Sequence, residues 1–170
     1  MVAHSIREKL QSLDGQYKFN DLLTFMEKSC ITFTDRQLNG SMAIATLDGV
    51  IVDVFKISHY PDKLIFFIFI HEIAHMKRLI KKGKEWFLGQ LSIENYQEFT
   101  SELFKEEILA DRYACRMFYK LNGIIYPWNQ TQQLNLPERQ KAYAPMAGSY
   151  FGKINNNEET YRELIQSFIK

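Results

Sequence analysis

The sequence predicts an α+β domain: helices, then a small antiparallel sheet, then two long helices. Three observations predict it. Residues 4–12 and 18–29 carry apolar side chains at helical spacing, as in Phe19, Leu22, Leu23 and Met26. Three runs rich in β-branched residues follow, ITFT (31–34), MAIATL (42–47) and VIVDVFKI (50–57). From Pro61 onward the long apolar segments return to helical spacing. Helices, neighbouring strands and helices again, in that order, make an α+β arrangement.

Asp48-Gly49 lies between the last two strands. An Asp-Gly pair there is a hairpin signal, because both central residues of the turn need φ > 0. Pro61 suits the first turn of a helix from about 61 to 82, which Gly83 would end. Residues 95–121 form a second long helical region, continuous or broken near Lys105. After Gly123 the chain turns irregular (YPWNQTQQLN), and short helical stretches follow near 137–144 and 157–169.

The 170 residues suit a single domain, 1–170, large enough to bury a real core. A net charge of +1 gives no push toward nucleic acid or an anionic membrane. The longest apolar run, Leu64 to Ile70, is seven residues, where a membrane span needs roughly 20. MVAHSIREKLQSLDG lacks the apolar core of a signal peptide. Cys30 and Cys115 show no metal or redox spacing and read as reduced thiols. These features predict a soluble cytoplasmic protein.

The chemistry gathers in FIFIHEIAHMKRLIKK, residues 67–82. His71 and His75 are four apart, so on a helix both imidazoles project from one face and can chelate one ion. Glu72, beside the first histidine, is placed to take a proton from a metal-activated water rather than to bind the metal. HExxH on a helix is therefore a zinc-hydrolase hypothesis. The competing reading is a helix with two hydrogen-bonded core histidines. Ile65, Phe69, Met76, Leu79 and Ile80 would cover one side, with Leu64, Phe67 and Ile68 before the histidines. Such a helix is buried nearly all round. Burying two histidines and a glutamate costs several kcal/mol unless they are paired or bound to metal, which favours a metal.

A catalytic zinc takes three protein ligands and keeps an open position. MKRLIK after His75 holds no third histidine, so the acidic candidates lie in FKEEILADRYACRMF, residues 104–118. Glu107 and Asp111 are four apart and share a helix face, with small Ala110 between them to allow close approach. Glu107 could bind the metal while Asp111 accepts the Nδ1–H of a ligand histidine. Glu106, one position round the helix, is the alternative ligand. A plain solvated acidic face is the reading without chemistry.

HExxH followed by a helix with E-x-x-A-[D/N] resembles the gluzincin metallopeptidases. EILADRYA is especially similar to the ImmA/IrrE-like metallopeptidases, whose helix reads roughly E-x-x-A-N-R-F-A. The resemblance covers residues 50–121. Asp111 stands where that family usually carries asparagine, and its following Met-Pro is replaced by MFYKLNG. The resemblance implies a zincin-like fold: a small antiparallel sheet, an active-site helix and a second metal-ligand helix. It implies Zn2+ on His71, His75 and Glu107, with Glu72 catalytic and Asp111 supporting a histidine. It also implies that Val50–Ile57 is an edge strand binding extended substrate by strand addition. The function so implied is a zinc-dependent metallopeptidase acting on a peptide or protein substrate by a metal-activated water and a glutamate base. The alternative is a zincin-fold regulatory module that binds a protein partner, as in repressor control in phages and mobile elements, with little or no turnover.

Weaker signals remain. Tyr113, Tyr126, Tyr143 and His59 are candidate donors to an oxyanion. Lys77, Arg78, Lys81, Lys82 and Lys84 favour a helix C-terminus or form a docking patch for an acidic partner. Trp86 and Trp128 read as core or cleft-wall residues, and Cys115 as packed rather than ligating.

Overall fold

Two short amphipathic helices open the chain, α1 (His4–Ser12) and α2 (Phe19–Lys28). Their apolar spacing puts Ile6 and Leu10, and then Phe19, Leu22, Leu23 and Met26, into the core. The structure, a computed structural model, describes residues 1–124 apart from 14, 40 and 92–95. The stretches 137–144 and 157–169, Tyr126, Trp128 and Tyr143 lie outside the described residues, as does the last part of the expected single domain 1–170.

Three strands follow: β1 (Phe33–Asp35), β2 (Ala43–Thr46) and β3 (Gly49–Val52). Their order is β1-β3-β2, with β1 parallel and β2 antiparallel to β3. The expected antiparallel sheet is thus corrected to a mixed one. The strand richest in β-branched residues, with Val50 and Val52 fully buried, takes the centre and is bonded on both sides. Val50 N–H donates to Thr32 O at 2.8 Å and Arg36 N–H to Val52 O at 3.0 Å.

The β2–β3 hairpin forms, but its turn is Leu47-Asp48, with Thr46 opposite Gly49. Gly49 alone of the expected pair has positive φ, 146°. A Cβ there would stand 2.3 Å from Thr32 O, so glycine is what lets the two strands meet.

The predicted strand 50–57 ends at Val52. Asp53 caps a single helical turn, α3 (Val54–Ile57), accepting from Lys56 N at 2.9 Å and from Leu38 N at 3.0 Å. Lys56 Nζ in turn donates to Leu38 O and, at 3.2 Å, to Ser41 O. The carboxylate offers the backbone a better partner than the ladder does, and the strand stops. The amides of Leu38 and Lys56 hold the Asp53 carboxyl below its ordinary value of 3.8. Such stabilisation is complete above that value and is lost as pH falls through the folded pKa. Asp53→Asn is therefore expected to destabilise by about 2–3 kcal/mol at pH 7 and by clearly less at pH 3, read from urea unfolding. An equal loss at both pH values would mean the charge plays no part.

Residues 1–3 run along the outer side of β1. Val2 bridges Phe33 in parallel, Ala3 N–H donates to Phe33 O at 2.9 Å, and Phe33 N–H to Met1 O at 2.7 Å. Among the described residues the sheet's open edge is therefore β2. The expectation that Val50–Ile57 is the edge strand is corrected, because β3 is central. Asp53 N–H donates to Met42 O at 2.9 Å, so in this register Met42, Ile44 and Thr46 bond to β3. The N–H and C=O groups of Ala43 and Ala45 point to the open side.

The helix α4 (Asp62–Lys82) runs through the centre of the fold and ends at Gly83, φ 89°. Ile65, Phe66, Phe67, Phe69, Ile70, Ile73, Ala74, Met76 and Leu79 are buried, so it is apolar on most sides. Ile80, expected in the core, is 66% exposed because it lies on the side away from the neighbouring elements. A short helix that the sequence reading missed, α5 (Lys84–Leu91), leads to α6 (Tyr96–Asn122), which runs unbroken past Lys105. The sheet and α6 both pack on α4. Phe66 anchors the packing, with ring centroids 5.2 Å from both Phe19 and Phe118. No helix among the described residues is long and apolar enough to cross a membrane.

Candidate metal centre

Midway along α4, His71 and His75 lie one turn apart on the side that faces α6. Their Nε2 atoms are 2.9 Å from each other. From α6, Glu107 brings Oε2 to 3.1 Å from His71 Nε2 and Oε1 to 3.3 Å from His75 Nε2. The three ligand atoms lie within 4.8 Å of one another, and the group could hold a metal ion. Ala110 and Ala114, both fully buried, let α6 come this close.

One turn beyond Glu107, Asp111 Oδ1 lies 2.8 Å from His71 Nδ1. With Nδ1–H donated to that carboxylate, His71 keeps Nε2 for an ion. Asp111 Oδ2 is buried and has no hydrogen-bond partner among the described residues. Burial accordingly pushes the Asp111 carboxyl upward, against the pull of His71.

The charges are strongly coupled. Burial alone would lower the His71 pKa, but the hydrogen bonds the ring donates to Asp111 and Glu107 and the charges of Glu107 and Glu72 raise it well above 6.5. Burial would raise Glu107, yet His75 and His71 together hold it far below the usual carboxylate range. His71 thus faces a carboxylate at each ring nitrogen, Asp111 at Nδ1 and Glu107 at Nε2. A histidine ligand must give up its proton, so protonation of Nε2 and metal binding would compete.

Glu72 is buried beside the cluster and is not one of its three converging groups. Burial raises its pKa; the charges of His71 and His75, and the backbone N–H of Ala45 on β2, oppose the rise without cancelling it. A carboxylate so raised takes up a proton more readily than a solvated one, the property a proton-transferring group needs.

The donor set could hold a metal ion: His71 and His75 would offer Nε2 and Glu107 a carboxylate oxygen. Two imidazoles with one carboxylate are also among the donor sets that hold catalytic zinc in proteins.

The other sequence candidates fall elsewhere. Glu106 is taken by Arg78, so it does not share the cluster with Glu107. Tyr113 packs on Lys77, whose Nζ is 5.3 Å from the ring centre, and His59 stands edge-on to Phe55. Neither hydrogen-bonds the cluster among the described residues. Of the basic run, Lys77 is held between Phe25 and Tyr113, Arg78 by Glu106, and Lys82 lies over Trp86. Lys77, Lys81, Lys82 and Lys84 are exposed, while Arg78 is half-buried. Cys115 is half-buried and is not among the converging groups.

Sequence reading missed two neighbours of the site, Arg78 and the Ala45 amide. Arg78 carried a signal, being three residues past His75 and so on nearly the same face. The Ala45 amide carried none.

If Asp111 sets the orientation of His71, Asp111→Ala should weaken metal binding about 10–100-fold while saturating metal still fills the site. Competition against a chelator would measure it, and unchanged affinity would reduce Asp111 to packing. Compared with protein-family models, with curated proteins and with solved structures, the chain gives no match in any of the three.

Proposed function

We propose that the chain is a zinc-dependent metallopeptidase with a zincin-like arrangement, hydrolysing peptide bonds. One observation carries this reading: His71, His75 and Glu107 converge from two helices, with buried Glu72 beside them and outside the ligand set. An HExxH helix that merely packed its histidines would need neither a third carboxylate aimed between them nor a base held next to them.

Zinc held by the three side chains would supply a Lewis acid that polarises the peptide carbonyl and acidifies water. Glu72 accepts the proton of the attacking water on a carboxylate oxygen and passes it to the leaving nitrogen. Its raised pKa suits both halves of that transfer. Asp111 keeps His71 Nδ1–H engaged, so that Nε2 stays directed at the site. The peptide would add to the open edge of β2 through the backbone groups of Ala43 and Ala45. The Ala45 amide acts on Glu72, which puts that edge beside the base and leaves the Ala45 carbonyl and both groups of Ala43 for the peptide.

Two measurements test the reading together. Protein purified without added metal should carry one zinc per chain, and peptide turnover should disappear in Glu72→Gln. Absence of bound zinc in the wild type would remove the proposal.

A further inference from the structure

We propose that Arg78 is a positioning residue of the metal site, acting through Glu106 to set the rotation of α6 that presents Glu107 to the two histidines. The inference rests on the metal site proposed above.

Polar ties follow one another along the seam between α4 and α6. His71 meets Asp111, His75 meets Glu107, and Arg78 meets Glu106. The last is a fork: Arg78 Nη2 donates to Glu106 Oε1 at 2.5 Å, and Nε donates to Oε2. Two parallel bonds between planar groups fix orientation as well as distance, which a single lysine contact would not do.

The orientation matters because Glu106 and Glu107 are neighbours. Adjacent positions on a helix differ by about 100° in direction, so a part-turn of α6 would exchange one carboxylate for the other. Arg78 adds to the buried packing of Ala110, Ala114 and Phe118 in making the choice. It neutralises and holds Glu106, and leaves Glu107 as the carboxylate aimed at His71 and His75. The pair is also sheltered, with Arg78 side chain 30% and Glu106 17% exposed. A fully solvated pair could come apart at little cost, whereas separating this one leaves a half-buried charge without its partner. Lys77, one residue earlier, adds a second tie by packing its amine on the Tyr113 ring of α6.

The test is zinc titration into metal-stripped protein, by competition with a chelator. Arg78→Gln and Glu106→Gln should each weaken zinc binding about tenfold or more, the range in which outer partners of metal ligands act. Both should still bind one zinc per chain at saturation. The exchanged pair Arg78→Glu with Glu106→Arg should recover most of the affinity. Arg78→Lys, which keeps the charge and loses the fork, should fall between. A further readout separates positioning from bulk stability. Glu107→Gln alone should bind zinc poorly, and adding Arg78→Gln should improve it, because the released Glu106 can turn in as a substitute ligand.

If Arg78→Gln binds zinc within twofold of wild type, Arg78 does not position the site. If Glu106→Gln loses the ion altogether while Arg78→Gln keeps it, Glu106 is itself a ligand and the proposal fails. Should Arg78→Gln not fold, Arg78→Lys and the exchanged pair decide by the same criteria. A wild type that takes up no zinc would sink the metal site itself, an outcome distinct from a zinc-binding wild type whose Arg78 is dispensable.

Discussion

His71→Ala is expected to abolish stoichiometric zinc binding, and with it any hydrolysis. The two Nε2 atoms already face each other at 2.9 Å, and both face Glu107. Removing one imidazole leaves one nitrogen and one carboxylate, too few to hold zinc against solvent. The loss should exceed the roughly 10–100-fold that follows removal of an outer partner such as Asp111. His75→Ala and Glu107→Gln should behave alike, because each removes one of three converging atoms. Elemental analysis after chelator dialysis and zinc refilling reads the result directly. Retention of one zinc per chain at wild-type affinity in His71→Ala would show that these histidines are core residues tied to carboxylates. The coupling of charges sharpens the test. His71 meets Asp111 through Nδ1 and Glu107 through Nε2, so these side chains also form a hydrogen-bonded cluster of their own across the seam. His71→Ala removes that cluster too, and Glu107→Gln, which keeps its size, distinguishes loss of metal from loss of packing.

How much of this was legible in the sequence differs from element to element, and the division is physical. The i,i+4 spacing of His71 and His75, and of Glu107 and Asp111, is local geometry, so a sequence states it outright. The apolar run around HEIAH likewise foretold a buried helix. What escaped was long-range. The motif names Glu107, but not the tie between Glu106 and Arg78, twenty-eight residues away. The resemblance implies an edge strand at Val50–Ile57, whereas the central place of β3 comes from β1 entering on the far side, in parallel. The end of β3 was nearer to hand. Asp53, three residues before Lys56, is an N-cap pattern inside an apolar run, and periodicity alone concealed it. The correction of the edge matters for function, because it moves the peptide-binding backbone in the proposed mechanism from Val50–Ile57 to Ala43 and Ala45.

Glu72→Gln should keep the metal and lose the chemistry. Glu72 is buried next to the histidines but lies outside the converging ligand set, so glutamine at that position removes no ligand atom. What it removes is a carboxylate whose pKa is raised by burial and restrained by His71, His75 and the Ala45 amide. General-base contributions are typically about 10²–10⁴-fold, and peptide turnover should fall by at least that range. Zinc content should stay at the wild-type level. Thermal stability should not fall, because a buried charge is exchanged for a neutral isostere. A narrow protease can ignore a general substrate such as casein, so the assay calls for a library of short peptides. Glu72→Gln protein can also serve as a trap, retaining a substrate that it binds but does not cleave. The open β2 edge makes the expected trapped species an extended segment rather than a folded domain. A trapped protein that wild type cuts and Glu72→Gln only holds would establish the peptidase. If wild type and Glu72→Gln are equally inactive on every peptide, and bind the same protein equally well, the site serves recognition, and the regulatory module replaces the enzyme.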